Sequence, residues 1–209
     1  MNSPERVASP LRAALVLAVF AALTSGAVAL VKHHSSERIA ANQKQAREQR
    51  LAQILPQHVY DNRPGEDHVL VSDPLLGMTP QPVYRARRAG EPAASGIQVT
   101  AHNGYNGDIV LLVGVDRRGN VLSVRTLRHR ETPGLGDGID ITRDDWITSF
   151  DGISLAAADA AWAVRRDGGQ FDQLSGATVT SRAVIGAVRN ALLYFDRHRN
   201  WIFSTPGEQ

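Results

Sequence analysis

The sequence predicts an α+β protein: a single N-terminal transmembrane helix and stalk, then one domain with an antiparallel sheet and flanking helices. Three observations carry that class. Residues 13–31 contain no charge. Residues 108–115 and 121–127 are apolar, β-branched runs joined by the turn-forming sequence D-R-R-G-N at 116–120. Residues 180–198 repeat apolar side chains at helical spacing through Val184, Ile185, Val188, Ala191, Leu192 and Phe195. Strands and helices do not alternate as βαβ units, which excludes a doubly wound sheet.

The chain has 209 residues, 43% of them apolar and 21% charged, enough for one domain of ordinary size plus an appendage. The absence of cysteine excludes a disulfide framework, a Cys-ligated iron–sulfur centre, a zinc ribbon and a Cys nucleophile. Residues 1–60 hold seven Lys/Arg against three Asp/Glu. The remainder holds sixteen against eighteen, so the sequence pI near 9.3 reflects the N-terminal third. No nucleic-acid partner is expected from so balanced a body. The seven histidines lack H-x-x-x-H spacing, and no metal site is expected.

Taken in order, residues 1–12 form a short N-terminus carrying Arg6 and Arg12. The uncharged run 13–31 follows as the anchor, at about 1.5 Å per residue close to the ~30 Å of a bilayer core. A cleaved leader ending at Ala27, Val28 and Ala29 accounts for the same run, but its length exceeds a usual leader and points to an uncleaved anchor with membrane lipid around it. Lys32, Arg38, Lys44, Arg47 and Arg50 follow the span, so the local count alone would keep the C-terminal side in the cytoplasm, a weak rule for a large C-terminal domain. Residues 32–59 read as a polar helical stalk, capped at Ser35 or Ser36 and ended by Pro56. Residues 60–209 form the domain. Short strands are expected at 68–71, 82–84 and 96–100, stronger ones at 108–115 and 121–127, and helices at 153–163 and 180–198.

Two segments of the domain stand out. The first is E-T-P-G-L-G at 131–136, where Pro133 fixes one backbone angle and Gly134 and Gly136 permit others. It is a shaped loop at a strand end, either a plain turn or a surface that approaches a flat ring or a phosphate closely. The glycines there do not form a dinucleotide fingerprint. The second is D-Q-L-S-G-A-T at 172–178, just before the C-terminal helix. It reads as a capping loop or, by the same physics, as a helix start whose free N–H groups suit a phosphate. Gly176 and Ala177 leave the Thr178 hydroxyl accessible. Ser175 is not a hydrolase nucleophile elbow, because the flanking glycine pattern is absent.

Together these segments resemble the G subunits of the Rnf (also called Rsx) ion-translocating electron-transport complexes. Asp172, Ser175, Gly176, Ala177 and Thr178 match the D-x-x-(S/T)-G-A-T flavinylation motif of FMN-binding domains. The 131–136 segment matches that family's second signature, with His129 two residues before it. G-Y-N-G at 104–107 and the Trp146 and Phe150 pair also fit. The C subunit of the sodium-pumping NADH:quinone reductase shares these motifs but is usually longer.

The resemblance implies a covalently flavinylated electron-transfer subunit, with FMN joined by a phosphoester to Thr178. A separate magnesium-dependent flavin transferase would make the bond from FAD, with Asp172 presenting the site to it. Ser175 and Thr180 are the weaker attachment candidates. Ser175, Gly176, Ala177, Glu131, Thr132, Leu135 and Gly136 are expected around the cofactor. His129 is read first as a structural partner. Arg182 is either a phosphate neutraliser or a solvated side chain, and Trp146, Trp162 and Trp201 are packing residues. The resemblance also places the domain on the periplasmic side of the bacterial inner membrane, among the other membrane and peripheral subunits of the complex. No independent substrate turnover is expected. A membrane-tethered assembly module without flavin is the alternative, and the intact Asp172 and Thr178 argue against it.

Overall fold

The structure, a computed structural model, describes residues 10–156 and 161–204. Helix α1 runs over Pro10–Ile54, and five strands follow: β1 at His68–Val71, β2 at Gln81–Arg88, β3 at Glu91–Gly104, β4 at Gly107–Asp116 and β5 at Val121–Arg128. Short 3₁₀ turns lead to α2 at Thr178–Ser204. Chain contacts divide the molecule into Met1–Ala46 and Arg47–Gln209.

In the first unit, Pro10–Lys32 is long and apolar enough to cross a bilayer once. The helix does not restart at Ser35, because nothing between residues 32 and 54 breaks it. That stretch has neither Pro nor Gly and is rich in Ala, Gln, Glu and Arg, all good helix formers. Residues 1–9, with Arg6, lie outside the described residues.

The second unit is built on the sheet, an antiparallel meander in the order β1-β2-β3-β4-β5. The β4–β5 turn is the one expected. Asp116 accepts from the Arg118 and Asn120 N–H groups, at 2.8 and 2.9 Å, and Gly119 takes a positive φ of 93°. The sheet is covered on both faces, which is why β4 reads as a continuous apolar run. Ile109, Leu111 and Val113 join Ile97 and Val99 in one cluster with Val184, Ile185, Val188 and Phe195 of α2. On the opposite face, Leu112, Tyr84 and Ala94 pack against Leu51, Ile54 and Leu55 from the end of α1.

Glycines make that second contact possible. Gly96 and Gly114 are partners across β3 and β4. A Cβ on Gly114 would lie 2.3 Å from the Ile54 carbonyl oxygen, and one on Gly96 would lie 3.1 Å from Leu51 and Ile54. Residues 47–59, expected as the end of the stalk, are therefore part of the compact unit. The partial apolar stripe of Leu51, Ile54 and Leu55 is a docking surface for the sheet.

Two other elements differ from expectation. Strand β3 is 14 residues long rather than the five of 96–100, because it pairs with β2 and β4 on both sides. The helix expected over 153–163 is not seen in the described residues. Val121 N–H donates to the Ile153 carbonyl and Gly152 N–H to the Val121 carbonyl, both at 2.8 Å, which draws 152–153 alongside β5. Residues 157–160 lie outside the described residues, and Val164 then forms a parallel bridge with Phe171. Trp146, Phe150, Phe171 and Trp162 form a chain of edge-on and tilted ring contacts, with centroids 4.7–5.5 Å apart.

The C-terminal end of α2 is fixed by a polar cluster on β2. Arg85 has no exposed surface, and its Nη2 lies 2.5 Å from Asp67 Oδ1 as an ion pair outside hydrogen-bond alignment. Arg87 Nε donates to Asp67 Oδ2 at 3.0 Å. The same guanidinium groups donate to the Ile202 and Phe203 carbonyls, at 3.4 and 2.8 Å. Cations at the negative end of a helix dipole are favourable.

Candidate functional site

The loop after β5 is held by its own backbone. His129 Nδ1 accepts from Glu131 N–H at 3.2 Å, the structural role expected of it. The Thr132 carbonyl accepts from the N–H groups of Leu135, Gly136 and Asp137, at 3.2, 3.1 and 3.3 Å. Asp137 Oδ1 accepts from Gly134 N–H at 2.7 Å. The N–H groups of residues 134–136 are thus engaged within the loop. Gly134 has φ of 77°, a left-handed conformation that suits glycine. Leu135 is turned outward, 48% exposed.

The second segment winds into α2. Ser181 N–H makes the first helical bond, to the Ala177 carbonyl at 3.0 Å. The N–H groups of Thr178, Val179 and Thr180 therefore point ahead of the helix with no bond to them among the described residues, the arrangement that binds phosphate. Ser181 Oγ accepts from Leu174 N–H at 3.0 Å and donates to the Ala177 carbonyl at 3.2 Å, closing the loop from inside. Gly176 has φ of 72°, and a Cβ there would lie 2.9 Å from Leu135 Cδ2. The two segments meet at this point.

Four hydroxyls flank the junction, and their environments differ. Thr180 is buried and donates to Glu131 Oε2 at 2.5 Å. Ser181 is buried and bonded as described. Ser175 is exposed and lines a neighbouring depression with Pro133, Gly138 and Arg143. Thr178 is half-buried, and its hydroxyl makes no hydrogen bond among the described residues.

Thr178 lines a cavity of about 490 Å³ together with Glu131, Thr132, Leu135, Gly136, Gly176, Ala177, Val179 and Thr180. Of the residues expected around the cofactor, only Ser175 falls outside it. Tyr105, from the β3–β4 turn, completes the wall. Tyr105, Leu135 and Val179 are 69%, 48% and 45% exposed, an apolar rim around a polar floor. Sequence reasoning assigned no role to Tyr105 or Val179, although G-Y-N-G at 104–107 held the signal for Tyr105. Glu131 was expected to touch a ligand. It lines the cavity, and its two oxygens also accept from the Thr180 hydroxyl and from Asn106 N–H, the latter at 3.1 Å.

Asp172 lies elsewhere. Its side chain is 67% exposed and pairs with Arg165 at 3.1 Å, beside a separate cleft that also holds Asp144 and Asp145. Its carbonyl accepts from the Trp146 indole N–H at 2.6 Å. Arg182 forms a two-pronged pair with Asp167, at 2.7 and 2.8 Å, and does not serve the helix start. The hydrogen bond from Arg182 holds the Asp167 carboxyl below the usual carboxylate range.

A hydroxyl and three N–H groups without partners among the described residues, under an apolar rim, fit a planar aromatic group carried on a phosphate. A sheet domain with such a site, joined to one membrane-crossing helix, defines a membrane-tethered flavin domain. The sequence matches the family model described as FMN-binding domain over residues 104–193, and that described as RnfG N-terminal region over residues 1–54. The chain is 50% identical over 194 residues to the G subunit of the ion-translocating oxidoreductase complex of Pseudomonas aeruginosa, covering 91% of each chain. It is 46% identical over 197 residues to the corresponding G subunit from Pseudoalteromonas atlantica, covering 93% of this chain and 92% of the relative. For the G subunit from Vibrio cholerae the identity is 43% over 194 residues, covering 92% and 93%. The chain belongs to the family of ion-translocating oxidoreductase complex G subunits.

Proposed function

We propose that this chain is the covalently flavinylated electron-transfer subunit of an Rnf-type membrane complex, with FMN joined through its phosphate to Thr178. One observation carries the reading. Among the hydroxyls of the 172–181 segment, that of Thr178 alone lines the cavity without a partner among the described residues.

The N–H groups of Thr178, Val179 and Thr180 and the positive end of α2 would hold the phosphate. Tyr105, Leu135 and Val179 would grip the ring. Thr132 Oγ1 already accepts from Asn106 Nδ2 at 3.1 Å and keeps its own proton to donate. FMN, when bound, supplies reversible one- and two-electron redox chemistry, and the protein supplies position and electrostatics. Attachment would transfer the FMN phosphoryl group of FAD to the Thr178 oxygen: one phosphoester bond forms, the pyrophosphate P–O bond of FAD breaks, AMP leaves and the hydroxyl proton is released. A magnesium-dependent flavin transferase acting on FAD would catalyse it, reading Asp172 on the exposed side of the loop. A tether keeps the flavin with its redox partners in a compartment poor in free flavin. We therefore place the domain on the periplasmic side of the bacterial inner membrane, in line with the family resemblance and against the local charge count. A single span is too little for an ion path, so the ion-moving elements belong to partner subunits.

The test is co-expression of the full chain with a flavin transferase, followed by in-gel fluorescence of the denatured protein. The wild-type band is expected to fluoresce and Thr178→Ala to be dark. A dark wild-type band beside a fluorescent control substrate would overturn the proposal. Fluorescence surviving in the variant would move the attachment to another hydroxyl.

A further inference from the structure

The Glu131 carboxylate joins two distant segments of the chain at the cavity. Only 4% of the residue is exposed. Oε1 accepts from Asn106 N–H, 25 residues away in the β3–β4 turn, and Oε2 accepts from the Thr180 hydroxyl, 49 residues away in the first turn of α2. Two glycines bracket it. A Cβ on Gly104 would lie 2.9 Å from Oε1, and one on Gly136 would lie 2.8 Å from Oε2 and 3.0 Å from Thr180 Oγ1. The carboxylate is thus walled in by backbone that only glycine allows, with both oxygens occupied. It ties together the three segments that form the cavity.

We infer that Glu131 is the positioning residue of the attachment site, acting through Thr180 on Thr178. The two threonines are two residues apart on a helix of 3.6 residues per turn, so their side chains diverge by about 200° around the axis. Holding Thr180 inward holds Thr178 outward. The same carboxylate anchors the turn that carries Tyr105 to the rim. The brace works by shape and hydrogen bonding, not by charge. A glutamine in its place keeps an oxygen for Asn106 N–H, and its amide N–H can donate to Thr180 Oγ1, which then accepts. This inference rests on the reading of Thr178 as the attachment residue.

Two measurements on the full chain test it: the rate of flavin incorporation by a purified transferase, and amide hydrogen exchange over 104–107 and 178–185 without flavin. Glu131→Ala is expected to slow incorporation about tenfold to a hundredfold, the scale of a misplaced reacting group. It is also expected to speed exchange in both segments. Glu131→Gln should stay near wild type in both readouts, as should Thr180→Ser, while Thr180→Val should follow Glu131→Ala. Wild-type behaviour of Glu131→Ala would overturn the brace. A Glu131→Gln variant as slow as Glu131→Ala would overturn it in favour of a charge effect. If circular dichroism shows Glu131→Ala unfolded, Thr180→Val decides, and a folded Thr180→Val with wild-type incorporation and exchange contradicts the inference. Thr178→Ala separates the two readings. If it still takes flavin, the attachment residue is wrong, and the exchange data alone decide whether the brace exists.

Discussion

At the C-terminal end of α2, the Ile202 and Phe203 carbonyls receive hydrogen bonds from Arg85 and Arg87, and Asp67 contacts both guanidinium groups. At the N-terminal end, three N–H groups and the Thr178 hydroxyl receive nothing from the described chain. The same helix shows both treatments of its orphan backbone groups. One end is closed by side chains and fastens the helix to the sheet. The other is framed by glycines and an apolar rim and left open. An end built by long-range contacts and then left unpartnered marks a ligand position more surely than a helix start alone.

The sharpest way to separate the two ends is to alter one and read the other. Thr178→Ala is expected to remove all covalent flavin while leaving the thermal midpoint of the flavin-free protein unchanged, because that hydroxyl bonds to nothing described. Asp67→Ala should do the reverse. It strands the buried Arg85 cation, and losing one partner of such a pair costs about 3–5 kcal/mol. Denaturant melts should show that loss, while the folded fraction still takes flavin at Thr178. Loss of flavin from folded Asp67→Ala would mean that the two ends are not independent.

Smaller effects probe the glycines. Gly114→Ala places a Cβ against the Ile54 carbonyl, and overpacking of this kind costs about 1–3 kcal/mol. The melt should register it with no change in flavin incorporation, since the contact lies on the sheet face opposite α2. Gly176→Ala meets only the movable end of Leu135 but must keep a positive φ, at a cost of about 1 kcal/mol. Its signature is slower incorporation with a modest loss of stability.

The smallest effect is a titration near the closed end. Burial pushes the Tyr194 hydroxyl up to about 12, so the folded protein keeps a proton that the unfolded chain releases near 10. Its contribution to stability is complete below pH 10 and is lost as pH rises towards 12. Tyr194→Phe should flatten that part of the alkaline stability profile and remove the latest-ionising component of the tyrosinate absorbance.

Local pattern made much of this legible. The apolar run, β4, β5 and α2 each carry their period within a short window, and the two motif loops announce themselves by glycine and hydroxyl spacing. What was not legible depends on distant partners. Nothing near Glu131 says that it faces Asn106 and Thr180. Leu51, Ile54 and Leu55 looked like a weak stripe on a stalk because Gly96 and Gly114, which receive them, are more than forty residues away. The segment 153–163 carries helix-forming alanines, but pairing of Gly152 and Ile153 with Val121 prevails over propensity at its start.

The most direct test of the central claim is peptide mass mapping of the full chain after co-expression with a flavin transferase. One FMN per chain is expected, carried on the peptide containing Thr178, with Ser175, Thr180 and Ser181 unmodified. Flavin on Thr180 or Ser181, both buried and hydrogen-bonded here, would contradict it.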